Sequence, residues 1–445
     1  EFRRVLFRSF IFTNGTPTNI TQRSTPYLEL DRTNELGLYA QDQWRINRLT
    51  LNYGIRWDYV RGYVPQQTMP GTDKIDSKFF DRFPAVTLAN GSKFAVSDVN
   101  PWVGTRTFNE VNDIPNWKDF DPRFGLSYDL FGNNRTALKF SIGRYVAKTN
   151  VDVAVLLNPN TTAINAVTRG WTDTNKDFIP NCDLSSQLAN GECGAGDPNF
   201  GKQNPKAVQW SDDVRTKNRD NNWDLAAEIQ HELTRGISLN GGYYFNNGGY
   251  YRNTDSVQRF TDNEAVSPTD YDQFCVTAPT DSRLPGGGGY QICGLSAISP
   301  AAFTRTPVTV VKAVSNFGED IRRNHFFGVG LNARLPRGIR IGGGFDAGKS
   351  SKNQCFAVDS LGLTTFSVNA TTGPAFAGQT ATTINGQKTC ETSTPLKALA
   401  MVKLNGSVPL PWDFQASAVF QDQAGPVIDA VWAAPVSTNA ATSAP

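Results

Sequence analysis

The stretch LTLNYGIRWDYV, residues 49–60, decides how the chain is read. Leu49, Leu51, Tyr53, Ile55, Trp57 and Tyr59 alternate with Thr50, Asn52, Gly54, Arg56 and Asp58. Successive side chains of a strand point to opposite faces of its sheet. One face here is therefore greasy, and the other carries an Arg and an Asp. Just upstream, ELGLYAQDQWRI sets Leu36, Leu38, Ala40, Trp44 and Ile46 on one side, and Asn47-Arg48 forms a polar turn between the two runs. The pair predicts a β-hairpin.

The same design recurs in RFGLSYDLFGNNRTALKFSIGRY, WDLAAEIQHELTRGISLNGGYYF, FFGVGLNARLPRGIRIGGGFDAG and LKALAMVKLNGSVPLPWDFQASAVF. Their turns are Gly132-Asn133-Asn134, Thr234-Arg235-Gly236, Pro336-Arg337-Gly338 and Pro411-Trp412-Asp413. Between hairpins lie Asn-, Asp-, Thr-, Gly- and Pro-rich segments of about 40 to 75 residues, far longer than the loops of a compact soluble domain. Short turns on one side and long loops on the other are the habit of outer-membrane barrels, where strands of about 9 to 11 residues cross the bilayer.

Trp44, Trp57, Tyr59, Tyr128, Trp223, Tyr243 and Trp412 fall near strand ends, where interfacial girdles sit. Asp42 falls in the greasy register, but close to a turn, where a lipid-facing charge costs less than the roughly 2–4 kcal/mol of a midplane Arg or Lys. A soluble sheet with one solvated face shows the same alternation. Loop asymmetry and strand length favour the membrane.

Composition agrees. The chain has 445 residues, 11% aromatic, with 43 basic and 41 acidic residues and a net charge of +2. No basic stripe marks a nucleic-acid partner. No apolar run approaches the roughly 20 residues of a spanning helix, which excludes a helical membrane protein and leaves a barrel open. Residues 1–9, EFRRVLFRS, back-translate as GAG TTC AGA CGT GTG CTC TTC CGA TCT, which resembles a sequencing-library adapter. They are set aside from fold reasoning.

At this point a family resemblance is visible. LGLYAQDQWRINRLTLNYGIRWDY, FDPRFGLSYDLFGNNRTALKFSIGRYV and LPRGIRIGGGFDAGKS resemble the barrel of TonB-dependent outer-membrane receptors, most of all the Oar-like branch in which a carboxypeptidase-regulatory-like domain precedes the plug. The resemblance covers nearly all of residues 10–445. It implies a plug inside a barrel of roughly 22 strands and a TonB box that draws energy from the inner membrane. Neither plug nor TonB box is recognisable in this chain, and the tail WAAPVSTNAATSAP does not read as a membrane strand. The expectation is an all-β fold, an antiparallel transmembrane barrel that is partial, with about ten to twelve strands of the roughly 22. PTNITQRSTPYLEL and TPVTVVKAVSNFG are candidates for the last one or two of these strands.

The function implied is TonB-dependent import of a bulky nutrient (glycan, peptide or siderophore) across the bacterial outer membrane. The expected partners are membrane lipid, TonB and an extracellular ligand. A passive porin and a surface adhesin or soluble β-rich binding protein are the alternatives. A plug and TonB box upstream in the complete gene separate importer from porin; solubility without detergent marks the last.

Arg56, Asp58, Asp129, Lys139, Asp224, Glu228, Arg334, Arg340 and Asp346 are the candidates to line the lumen. Six cysteines allow fifteen pairings; shared loops favour Cys182 with Cys193, Cys275 with Cys293, and Cys355 with Cys390, and six free thiols are the competing reading. Oxidised pairs suit an envelope compartment. In DTNKDFIPNCD, Asp173, Asn175 and Asp177 alternate, with Asp183 beyond, as oxygen ligands around Ca²⁺ do. The segment resembles the start of an EF-hand loop, although Phe178 replaces the required Gly and no Glu closes it. It also resembles the short calcium repeats of thrombospondin-like segments. A polar turn-rich loop is the competing reading, and no other cofactor is expected. Trp102, Trp117, Trp171 and Trp210 are candidates to stack on a sugar. No enzyme constellation is present: His231 and His325 stand apart, and the glycines at 286–289 lack the Lys-Ser/Thr of a phosphate loop.

Overall fold

The computed structural model describes residues 8–24, 27–70, 86–87, 93–94, 103–148, 150–178, 180–217, 219–248, 259–361, 363–364, 383–384, 387–388 and 390–425. The rest of the adapter-like start, Trp102 and the tail after residue 425 lie outside them.

The alternating runs become ten long strands in five hairpins. These are β1 (Arg32–Ile46), β2 (Leu49–Tyr63), β3 (Asn116–Asp129), β4 (Thr136–Val146), β5 (Asn221–Thr234), β6 (Ile237–Gly248), β7 (Ile321–Arg334), β8 (Arg340–Asn353), β9 (Met401–Pro409) and β10 (Gln415–Gln423). They form one sheet in chain order from β1 to β10, and Glu391–Thr394 pairs beside β9 on β8. Several run to 14 or 15 residues, longer than a bilayer crossing needs.

The first three turns are each tied to the next hairpin. Asp129 N–H donates to Arg48 O (2.9 Å), Glu232 N–H to Arg135 O (2.7 Å) and Arg334 N–H to Gly236 O (2.6 Å). Asn47 takes φ 50°, a left-handed conformation that Asn tolerates better than most residues.

The chain forms two compact units. The wall belongs to the unit made of Glu35–Val60, Trp117–Lys148 and Trp210–Pro445; the other is Glu1–Asn34, Arg61–Asn116 and Thr149–Gln209. The second unit has a buried core of its own. Arg8–Thr13, Thr16–Arg23 and Ala166–Gly170 form a three-stranded sheet. Ile20, Val103, Val167, Trp171, Leu184, Cys193 and Phe200 pack into one cluster, with smaller clusters around Val64 and Met69.

Arg169 is 2% exposed, and its guanidinium donates to three carbonyls: Gly194 O (2.6 Å), Ser186 O (2.7 Å) and Leu188 O (2.8 Å). The Glu192 carboxylate is held down to about 2 by the Thr174 hydroxyl, assisted by the N–H groups of Asn181 and Thr174 and the indole of Trp171. Burial pushes Asp31 up to about 6, with Glu29 beside it adding to the rise and Asn158 opposing it.

Both candidate extra strands form, but neither joins the wall. Thr16–Arg23 lies in the small sheet, and Thr309–Ala313 lies in a separate four-stranded sheet with Gln209–Trp210, Arg259–Asn263 and Leu363–Thr364. The reason is visible in burial. Ile20, Thr21 and Gln22 are buried in succession, as are Val310 and Val311, so both faces are covered. Among the described wall strands such consecutive burial is confined to Ala347 and Gly348 of β8, and most positions stay partly or fully exposed. Arg8 and Ser9, at the end of the adapter-like stretch, pair with Gln22 and Thr21.

Candidate functional site

The ladder registers fix which residues share a face of the wall. Asp129 stands opposite Ala137, Lys139 opposite Glu228, Asp224 opposite Gly143 and Asn246, Asp346 opposite Gly328, and Arg334 opposite Arg340. Followed from β3 to β8, these pairs lie on one side of the sheet. Arg56 and Asp58 lie with Gly37: a Cβ on Gly37 would meet the Arg56 guanidinium at 2.2 Å and Asp58 Oδ1 at 3.0 Å. This polar side is concave. A hollow of about 1160 Å³ spans β1 to β7, bordered by Arg56, Asp121, Arg123, Asp224, Tyr244 and Asn324.

The opposite side is apolar and uncovered. Leu38 is 57% exposed, Ile55 48% and Val329 59%. Soluble monomers rarely leave so broad an apolar face in contact with water. An outer-membrane barrel presents this arrangement to lipid, apolar out and polar in. Asp42, the misfit on this side, accepts a hydrogen bond from the Tyr53 hydroxyl (3.0 Å). Trp44 and Trp412 are exposed near the turns; Trp57 and Tyr59 stack near the far end of β2, with ring centroids 6.0 Å apart.

Hydrogen bonds organise the polar side into rows. Asp224 accepts from Asn246 Nδ2, Asn246 Oδ1 from Asn324 Nδ2 (3.3 Å), and Asn324 Oδ1 from Ser350 Oγ (2.6 Å). That row crosses β5, β6, β7 and β8 through directly opposed residues. Lys139 and Glu228 face each other in register, yet each has another partner. Lys139 Nζ donates to Gln230 Oε1 (3.0 Å), and the Tyr244 hydroxyl donates to Glu228 Oε1 (2.8 Å). Arg56 grips Asp58 through Nε and Nη2 at 2.7–3.0 Å. Asp129 caps its turn, accepting from Gly132 N–H (3.0 Å) and Asn134 N–H (2.9 Å). Asp346 Oδ1 would lie 2.6 Å from a Cβ on Gly328, so a small residue there leaves room for the carboxylate.

Choosing only charged residues missed Asn246, Asn324, Ser350 and Tyr244. Their signal was the alternation itself: each stands at a polar-side position of its strand. Also missed was a buried ion cluster of β3, β4 and the segment before β5. Arg144 bridges Asp121 (2.9 Å) and Asp119 (3.4 Å), and Arg219 reaches Asp119 (3.3 Å).

The three cysteine pairs of shared loops are joined as Cys182–Cys193, Cys275–Cys293 and Cys355–Cys390. In the candidate calcium loop, Asp173 accepts from Asp177 N–H (3.2 Å) and Phe178 N–H (3.0 Å), while Asn175 Oδ1 accepts from Asp177 N–H (3.1 Å). Asp177 Oδ2 takes the amides of Asn175 and Asn181, and Asp183 turns to Ser185. Asp173 Oδ1 and Oδ2, Asn175 Oδ1, Asp177 Oδ2 and Asp183 Oδ1 thus accept hydrogen bonds from N–H and hydroxyl groups of the same loop. Among the described residues, no group of three or more His, Cys, Asp or Glu converges on a metal position.

The sugar-stacking candidates need correction. Trp117 and Trp171 are 1% exposed and Trp210 is 7% exposed. Trp171 is core, and the Trp117 indole donates to Val214 O (2.8 Å) with Arg219 over its ring. No local pattern around Trp171 shows that its loop has a core to fill, and Trp117 lies at the start of β3.

Comparison with known proteins agrees with this geometry. The model of the outer membrane beta barrel domain matches residues 9–282, more than half of the chain. The chain belongs to that family, and it is a partial antiparallel barrel of the bacterial outer membrane. No curated protein matches it. Among solved structures, the outer membrane transporter YddB from Escherichia coli is similar at 11% identity and a TM-score of 0.36, over 87% of this chain and 40% of that one. The FrpB iron transporter from Neisseria meningitidis is similar at 9% identity and a TM-score of 0.32, over 86% of this chain and 39% of that one. The toluene transporter TodX from Pseudomonas putida is similar at 8% identity and a TM-score of 0.20, over 88% and 74%. The chain thus spans about two fifths of the length of the first two.

Proposed function

We propose that this wall belongs to an importer that carries a bulky nutrient (glycan, peptide or siderophore) across the outer membrane, energised through TonB. The observation that carries the reading is the pairing of two features in one chain. The wall has a continuous polar side crossed by rows of hydrogen bonds. Two of its long connections, together with the start of the chain, fold into a unit with its own core and the Cys182–Cys193 disulfide, a scaffold suited to holding a large ligand. A plain pore needs no such loop core. The wall itself performs no chemistry; its roles are to face lipid outward and to offer Asp, Asn, Arg and Tyr groups inward. TonB contact is assigned to the plug and TonB box that the family resemblance sets before the barrel.

The test is uptake by cells expressing the complete gene, with and without TonB, at substrate concentrations well below saturation. Saturable uptake that vanishes without TonB is expected. Uptake that rises in proportion to concentration and ignores TonB would make the protein a passive pore.

A further inference from the structure

Each of four successive turns carries a basic residue in or beside it, Arg48, Arg135, Arg235 and Arg337, and Arg45, Arg334 and Arg340 stand within three residues of two of them. All four turn arginines are exposed. The fifth turn carries Trp412, which is 87% exposed. The acidic groups at this end are Asp129, Glu232 and Asp413, and the Asp129 carboxylate is engaged with its own turn. The rim is therefore basic, with an aromatic at one end.

Directly beneath the turns of Arg235 and Arg337, the apolar side is not flat. A groove of about 530 Å³ runs across β5 to β9, walled by Leu239, Leu331, Ile341 and Leu404. Gly241 opens its floor. A Cβ there would meet Ile229 and Val329 no closer than 3.8 Å, so the space over it is vacant rather than crowded. β6 pairs with β7, so the two arginine turns are neighbours, and Arg334 N–H donates to Gly236 O across them. Leu239 is four residues from Arg235, about 13 Å along the strand at roughly 3.3 Å per residue.

We propose that this is a binding site for one anionic glycerophospholipid of the leaflet at the turn side. Arg235 and Arg337 would hold the headgroup phosphate, and one acyl chain would lie in the groove over Gly241. Two observations favour a lipid over a soluble anionic partner. The groove is continuous with the apolar face that the family sets against the bilayer. The guanidinium fork matches phosphate oxygens and stands at headgroup level.

The experiment is native mass spectrometry of the full chain in detergent, loaded with equal amounts of phosphatidylglycerol and phosphatidylethanolamine of the same acyl chains. Far-UV circular dichroism checks the fold of each variant. The expected result is retention of one phosphatidylglycerol in preference to phosphatidylethanolamine. Arg235→Gln and Arg337→Gln should each weaken it about fivefold, the effect of one basic residue at a lipid surface. Gly241→Leu, whose Cβ has room, puts a branched side chain into the groove and should release the lipid with every charge intact. The pair Arg334→Gln and Arg340→Gln removes equal charge from the polar side and should change nothing. An equal loss in that pair would reduce the effect to net charge and overturn the site. So would unchanged retention in Gly241→Leu, or preference for a soluble acidic peptide over the lipid.

Discussion

Replacing Arg169 by Met tests whether the loop unit is held by a buried cation. The guanidinium is 2% exposed and donates to the carbonyls of Gly194, Ser186 and Leu188. Burial holds its pKa below the ordinary arginine value, and Asp183 is the carboxylate that partly offsets this. Met keeps the apolar stem and removes the donors. Each buried carbonyl stripped of its partner costs about 1–3 kcal/mol, or roughly 3–9 for the three. Against this stands the relief of no longer burying a charge, itself worth several kcal/mol. The expected net loss is about 3 kcal/mol in the opening free energy of this unit, with the wall unaffected.

Hydrogen exchange of two amides reads it. Gly194 N–H donates to Gly170 O (2.8 Å) and Trp171 N–H to Thr18 O (3.0 Å), so both report on the sheet around Arg169. Exchange should speed about a hundredfold, as 3 kcal/mol implies. Leu188→Ala, at a side chain 76% exposed, is the control and should change little. If Arg169→Met leaves both amides within about fivefold of the parent, near 1 kcal/mol, the carbonyl fork is not what holds the unit.

Further expectations follow from other sites. Val329→Arg puts a cation on the apolar side and should lower the stability of the folded barrel in vesicles by about 2–4 kcal/mol, whereas Asn332→Arg on the polar side should not; equal effects would refute the assignment of faces. Cys182→Ser should weaken the loop unit by about 3 kcal/mol, from loop-closure entropy across the 11-residue separation, measured by hydrogen exchange or limited proteolysis. Gly288 takes φ 79° and a Cβ there would fall 1.9 Å from Pro279 O, so Gly288→Ala should raise proteolysis of the loop between Cys275 and Cys293 while leaving the wall intact. The loop unit should also respond to pH in two opposite ways. Asp31, raised to about 6, binds its proton more tightly folded than unfolded, so its contribution favours folding increasingly as pH falls from 7 toward about 4. Glu192, lowered to about 2, contributes stability above the usual carboxylate range that is lost as pH falls from about 4 toward 2. Amide protection near Asp31 that dropped between pH 7 and 5 would contradict the first sign.

The sequence by itself determined the wall. Alternation such as that of Leu49 to Tyr59, and turns such as Asn47-Arg48 and Pro336-Arg337-Gly338, are local properties: a strand's period of two and a turn's backbone demand are written in adjacent residues. They gave the five hairpins, the apolar and polar sides, and the polar-side register of Arg56, Asp224 and Asp346. What only the tertiary structure decided depends on contacts between segments far apart in the chain. The ion cluster of Asp119, Asp121, Arg144 and Arg219 joins residues up to a hundred positions apart. The destination of Thr16–Arg23 was settled by pairing with Ala166–Gly170, a partner no local pattern announces. Above all, the loops' polar, turn-rich composition concealed a core. A handful of scattered apolar residues such as Ile20, Trp171 and Leu184 suffice to build one once non-local pairing and a disulfide bring them together, and periodicity cannot register residues that meet without a period.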